Sequence, residues 1–225
     1  MTVSGHGGSP RLRPGRVLVA GVVLTTAATV FACRSQPADD FGSPPVTTPA
    51  ASTAAAAPAP ARVPVTDGRP PAAATTDAPA RLRIPALGLD TAVDAVGLDP
   101  KTGDFAVPPS VDRVGWYRFG PDFSAPAGSI VIAGHVDAAG QGEGAFFKLG
   151  SLTAGDTVVL AGAGARTRTF EVVARERHTK TAIPLDGYFA RDGAARLTLI
   201  TCGGPFDAAT RHYRDNVVVT AVARP

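Results

Sequence analysis

Cysteine is almost missing from this chain: its 225 residues contain two, Cys33 and Cys202. Two thiols cannot make a disulfide framework, and neither has a neighbour to form the C-x-x-C pair of redox or zinc chemistry. A bond between them would tie the amino-terminal region to a core strand. Cys202 is therefore read as an unpaired thiol, and a redox role lacks a resolving partner. Charge is also sparse, at 18 % of residues and a net +3. Arg11, Arg13 and Arg16 carry much of that excess, and no basic stripe with interleaved aromatics follows, which argues against nucleic acid as a partner. No amphipathic helical stretch of any length is visible. One histidine near one cysteine falls short of the roughly four ligands of a zinc site, and Asp186 and Asp192 are too few to suggest calcium. No metal and no cofactor is expected.

What is present divides into four parts. Residues 1–16 are polar and basic, and residues 17–32 carry no charge. A positive flank before such a run has the pattern of a targeting segment. One reading is a signal anchor over residues 17–33, basic end inside. The other is cleavage before Cys33 and lipidation of its thiol, although Phe31 is bulky for a lipoprotein box. Both place the rest of the chain outside a cell membrane and tethered to it, single-pass for the anchor. Residues 34–80 are Pro, Ala, Thr and Ser with almost no large apolar side chain. Such a stretch cannot offset its ordering entropy, and it reads as a disordered, semi-stiff stalk. Residues 81–225 are the folded domain, an ordinary size for one core.

Within the domain, short apolar and β-branched runs alternate with Gly and Pro turns. Strands are expected at 81–85, as an edge carrying Pro85, and at 91–98, 128–135, 156–160, 168–174, 196–202 and 216–222, with a further segment near Trp116. Residues 145–149 suggest a helical turn. A polar connection is expected from Glu176 to Ala195. Gly203-Gly204-Pro205 is expected to end the strand that carries Cys202. About eight short strands point to an all-β closed barrel.

In a barrel the strand ends share a rim, so His135, Cys202 and Arg214 can converge from distant parts of the chain. A thiolate is a nucleophile whose fraction depends on its pKa. Imidazole can carry a proton to a leaving amine, and a guanidinium can stabilise an oxyanion. His6, His178 and His212 fit less well, one being in the tail and two in polar connections. Arg211 competes with Arg214 three positions earlier.

The run Leu197-Thr198-Leu199-Ile200-Thr201-Cys202 resembles the sortase signature. Ile132-Ala133-Gly134-His135 resembles the same family's histidine motif, and Tyr213-Arg214-Asp215-Asn216 its arginine-bearing entry to the last strand. The Gly-Gly-Pro-Phe-Asp after the cysteine and the Ala-Gly-His-Val-Asp around the histidine are most similar to the class E/F branch of actinobacterial sortases. The resemblance implies a sortase-type barrel over about residues 81–223 and a cysteine transpeptidase. Cys202 would attack the Thr–Gly carbonyl of an LPXTG-like signal on a secreted protein. An amine of a cell-wall precursor or a pilin lysine would resolve the thioester. His135 would be general acid and base, Arg214 would position substrate and stabilise charge, and Thr201 would help in the oxyanion step. The connection from Glu176 to Ala195 corresponds to the family's recognition loop, with Ile183, Pro184 and Leu185 against the leucine and proline of the signal. The alternatives weighed are a thiol hydrolase, in which water resolves the thioester, and a non-catalytic envelope binding module on the same barrel.

Overall fold

The computed structural model describes residues 39–45, 77–101 and 103–224. The basic tail, the uncharged run, Cys33 and most of the stalk lie outside these residues. Among the described residues no helix is long and apolar enough to cross a membrane.

The chain forms the closed all-β barrel that its strand count suggests. In chain order the strands are β1 (Arg81–Ile84), β2 (Leu89–Val96), β3 (Val114–Tyr117), β4 (Ser129–Gly134), β5 (Asp137–Ala138), β6 (Gly142–Glu143), β7 (Thr157–Ala161), β8 (Thr167–Thr179), β9 (Arg196–Asp207) and β10 (His212–Ala223). One short helix, α1 (Leu185–Tyr188), lies between β8 and β9. The barrel runs β1-β2-β3-β4-β9-β10-β8-β7 and closes where β1 meets β7; β5 and β6 form a separate hairpin. Two of the neighbouring pairs are parallel, β2 with β3 and β4 with β9. Inside sit Leu82, Ile84, Trp116, Ile130, Ile132, Phe146, Phe170, Leu197, Leu199 and Val219, all buried. Removing such side chains from water supplies about 1.5–3 kcal/mol each. Period-2 alternation explains the pattern: Leu197 and Leu199 point inward, so Ile200 and Cys202 face out.

Three expectations change. β1 is not an edge. It pairs with β2 on one side and β7 on the other, and Pro85 opens a 3-10 turn beyond the strand, where its missing N–H costs nothing. The connection after β8 begins later than Glu176, because Glu176, Arg177, His178 and Thr179 continue the ladder with β10. Alternation lets those polar residues stay in a strand, with Glu176 and His178 on one face meeting Tyr188. Finally, Gly203-Gly204-Pro205 does not end β9. The ladder pairs Asp215 with Gly203 and resumes at Tyr213 with Phe206, leaving Gly204 and Pro205 opposite Arg214. This is a bulge, and both residues suit it. Gly204 has φ +70°, and a Cβ there would lie 2.1 Å from the Asp215 carboxylate. Proline brings no donor that needs a partner.

The fold also reaches upstream of residue 81. Asp77 accepts from Ser124 N and Arg166, and its carbonyl accepts from Phe123 N. Further back, Phe41 and Arg175 exchange two backbone hydrogen bonds, of 3.0 and 2.9 Å, and the Arg175 guanidinium lies over the Phe41 ring. Two pieces of the stretch read as stalk therefore pack on the barrel.

Candidate active site

β4 and β9 lie side by side and parallel, with Ser129 opposite Arg196 and Ala133 opposite Ile200. Extending that register brings His135 level with Cys202 at one rim. The Thr201 hydroxyl donates to the Gly134 carbonyl at 2.9 Å and pins the end of β4 to β9. Gly134 has no side chain for a packing reason: a Cβ there would meet the Phe146 ring at 2.8 Å and Val114 at 3.0 Å. Phe146 N in turn donates to the His135 carbonyl.

His135 and Cys202, both half-buried, line one cleft of about 770 Å³. Its walls include Asp137 and Glu143 of the small hairpin, Phe147, Lys180 just past β8, and Phe206, Arg211, His212 and Tyr213 from the β9–β10 hairpin. The His135 ring is held by Nε2, which lies 2.9 Å from the Pro108 carbonyl. A carbonyl only accepts, so Nε2 carries the proton and Nδ1 is the nitrogen left for exchange. Cys202 is a free thiol, paired in the ladder with Asn216. Across the cleft the Tyr213 hydroxyl donates to Asp137 at 2.5 Å. That bond, burial, and the charges of Asp137 and Cys202 hold the Tyr213 hydroxyl above the usual tyrosine range.

The other sequence candidates lie differently. Arg214 is opposite the bulge, with its side chain 66 % exposed and its guanidinium 3.2 Å from Asp207. It does not line the cleft, whereas Arg211 does. Arg211 sits in the tight turn of the hairpin with φ +58°. Thr201 points into the barrel, away from the cysteine face. Ile183 is half-buried, and Pro184 and Leu185 are exposed; all three lie just before or within α1 and outside the cleft lining. His178 and His212 are strand residues rather than parts of polar connections, and His212 reaches the cleft. Asp137, Tyr213 and Phe206 were not singled out from sequence. Their signal was available in part, since Asp137 follows His135 by two and Tyr213 precedes Arg214.

The barrel brings a cysteine and a histidine to one cleft beside two parallel strands, an arrangement that suits thiol chemistry. The description "Sortase domain" matches residues 82–224, and the chain belongs to the sortase family of cysteine transpeptidases. Among solved structures, a lid mutant of sortase A from Corynebacterium diphtheriae is 20 % identical with a TM-score of 0.50, covering 65 % of this chain and 70 % of that one. The pilus-related sortase C of Group B Streptococcus is 14 % identical with a TM-score of 0.50, covering 67 % and 69 %. Both likenesses are of fold. No curated protein matches the chain by sequence.

Proposed function

We propose that this chain is a membrane-tethered cysteine transpeptidase that cuts an LPXTG-like sorting signal between Thr and Gly. The observation that carries the reading is the common cleft of Cys202 and His135. The Cys202 thiol passes its proton to Nδ1 of His135, the resulting thiolate attacks the threonine carbonyl carbon, and the C–N bond to glycine breaks. His135 gives a proton to the departing amine, leaving a thioester on Cys202. An amine of a cell-wall precursor, or a pilin lysine, then attacks the thioester. It passes a proton to His135, and the thiolate leaves.

Arg214 stabilises the oxyanion in this reading. Its exposed pairing with Asp207 is of a kind that is weakly held, so a rotamer change frees it for the acyl group. The Thr201 hydroxyl serves the strand ends, so any help it gives the oxyanion comes from its backbone. Ile183, Pro184 and Leu185 offer apolar surface beside α1 for the leucine and proline of the signal. Residues 17–33 act as the membrane anchor, with the domain outside the cell.

The test is incubation of the chain with a sorting-signal peptide, with and without glycine or diaminopimelate amines. The reading expects cleavage, an amide product that needs the amine, and loss of both in Cys202→Ala with the fold intact by circular dichroism. Equal turnover by Cys202→Ala would remove it. Cleavage that yields only free acid with every amine would leave a hydrolase instead.

A further inference from the structure

β4 and β9 begin side by side. Arg196 opens β9 and lies opposite Ser129, each six residues before a reactive side chain, Cys202 within β9 and His135 just past β4 (202 − 196 and 135 − 129). Arg196 is only 4 % exposed. Among the described residues its guanidinium has no ion pair within 4 Å. Instead Nη2 donates to the Gly187 carbonyl at 3.0 Å, and Nη1 to the carbonyls of Asp192 and Ala194, each at 3.3 Å. Every acceptor belongs to the β8–β9 connection. The Asp192 carboxylate acts on Arg196 only as a nearby charge, and a buried cation hydrogen-bonded to carbonyls adds little to stability, because desolvation offsets its hydrogen bonds. Burial accordingly lowers the Arg196 pKa.

The connection travels from the cleft, where Lys180 stands, to the far end of β9. Ser129 N donates to the Ala190 carbonyl and Gly128 N to that of Gly193, so the same stretch is clipped to the foot of β4. Midway, Tyr188 donates to Glu176 at 2.8 Å, and His178 Nε2 lies 2.7 Å from its hydroxyl. The outward face beneath is polar too. Ser129 and Thr198 share a hydrogen bond, and Thr220, level with Thr198, has no partner for its buried hydroxyl. The connection is thus held by named hydrogen bonds from Gly128, Ser129 and Arg196, which place a segment more specifically than apolar burial does.

We infer that Arg196 is a positioning residue: its three carbonyl contacts fix the β8–β9 connection along the strand that carries Cys202, and so set the groove for the sorting signal. The role in substrate binding rests on the proposed transpeptidase reading; the fixing of the connection does not. Arg196→Met removes all the donors. Arg196→Lys keeps the charge but cannot span three carbonyls, and it serves if the first variant does not fold.

Both are compared with the full chain by three readouts. In Arg196→Met, hydrogen exchange at the amides of residues 187–195 is expected to quicken about tenfold or more as local opening becomes easier. KM for the peptide is expected to rise about tenfold with kcat within about twofold, a loss of binding rather than chemistry. Alkylation of Cys202 by iodoacetamide should not change. Arg196→Lys should fall between. Unchanged exchange in either variant overturns the inference. So does a fall in Tm, alkylation and kcat together at constant KM, which marks a general structural role. Faster exchange in a chain whose native form never turns over the peptide supports the clamp and removes the transpeptidase reading alone.

Discussion

Arg211 and Arg214 are three positions apart, yet they meet different surroundings. Arg211 lines the cysteine cleft from a left-handed turn residue, while Arg214 lies outside it on Asp207. Arg211 lies in the turn before β10 and Arg214 within the strand, opposite the bulge at Gly204 and Pro205. If Arg214 is the oxyanion donor, Arg214→Ala lowers kcat about 10²–10³-fold, the usual loss of one such donor. Arg211→Ala then raises KM severalfold and leaves kcat within about threefold, because its charge only borders the substrate. Steady-state kinetics of the two variants check this, and the reverse ranking moves the role to Arg211. His135 was legible because it combines a reactive type with a strand end; Cys202 was legible by its type and the apolar run before it, although its strand runs on to Asp207. The inward turn of Thr201 follows from alternation with Leu199. The Tyr213–Asp137 bond was not legible, since its partners are 76 positions apart and neither belongs to a periodic pattern.

Elements were legible where side-chain period and turn residues agreed, and hidden where tertiary pairing overrode them. β9 crosses a Gly-Gly-Pro that by itself breaks strands, because β10 supplies a partner on both sides of the bulge. α1 spans one turn, too short to leave a period in the sequence. Residues 145–149 do turn, and they deliver Phe146 beneath Gly134. Phe146→Ala should therefore cost about 3–5 kcal/mol of stability by chemical denaturation, as for a buried aromatic removed from a core. It should also slow Cys202 alkylation least and peptide turnover most, since the histidine strand loses its support.

The anchor of α1 has its own pH signature. Burial first, then the bond to Glu176, pushes the Tyr188 hydroxyl far above the ordinary tyrosine range. A raised folded pKa means stability fully present below the unfolded value, about 10, and lost as pH climbs above it. Thermal unfolding followed from pH 8 to 11 should show that loss, and Tyr188→Phe should flatten it.

At the scale of the whole molecule, the count of short strands between turn residues was enough to foresee a closed barrel. The amino-terminal attachments were not foreseeable. Phe41 stands alone in a run of small residues and Pro, and its partner Arg175 is far along the chain. Surface charge gives the barrel an acid limit. Asp94 beside Arg113 and Asp90 beside Arg81 are held below the usual carboxylate range. So are Asp77 beside Ser124 and Arg166, and Asp207 at the Thr210 and Ala209 amides. Depressed folded values mean stability present above about pH 4 and lost as pH falls through the folded values. A urea midpoint that is flat from pH 8 to 5 and drops below about pH 4 is the expected profile. High salt should reduce the drop, because these pairs are exposed to solvent.

The most direct measurement of the central claim is the intact mass of the chain after brief mixing with a sorting-signal peptide, followed by acid quenching and peptide mapping. The account predicts an added acyl mass ending in threonine, attached at Cys202 and released by hydroxylamine, and absent in His135→Ala. A modified mass at another residue, or prompt cleavage of the peptide with Cys202 replaced, would contradict it.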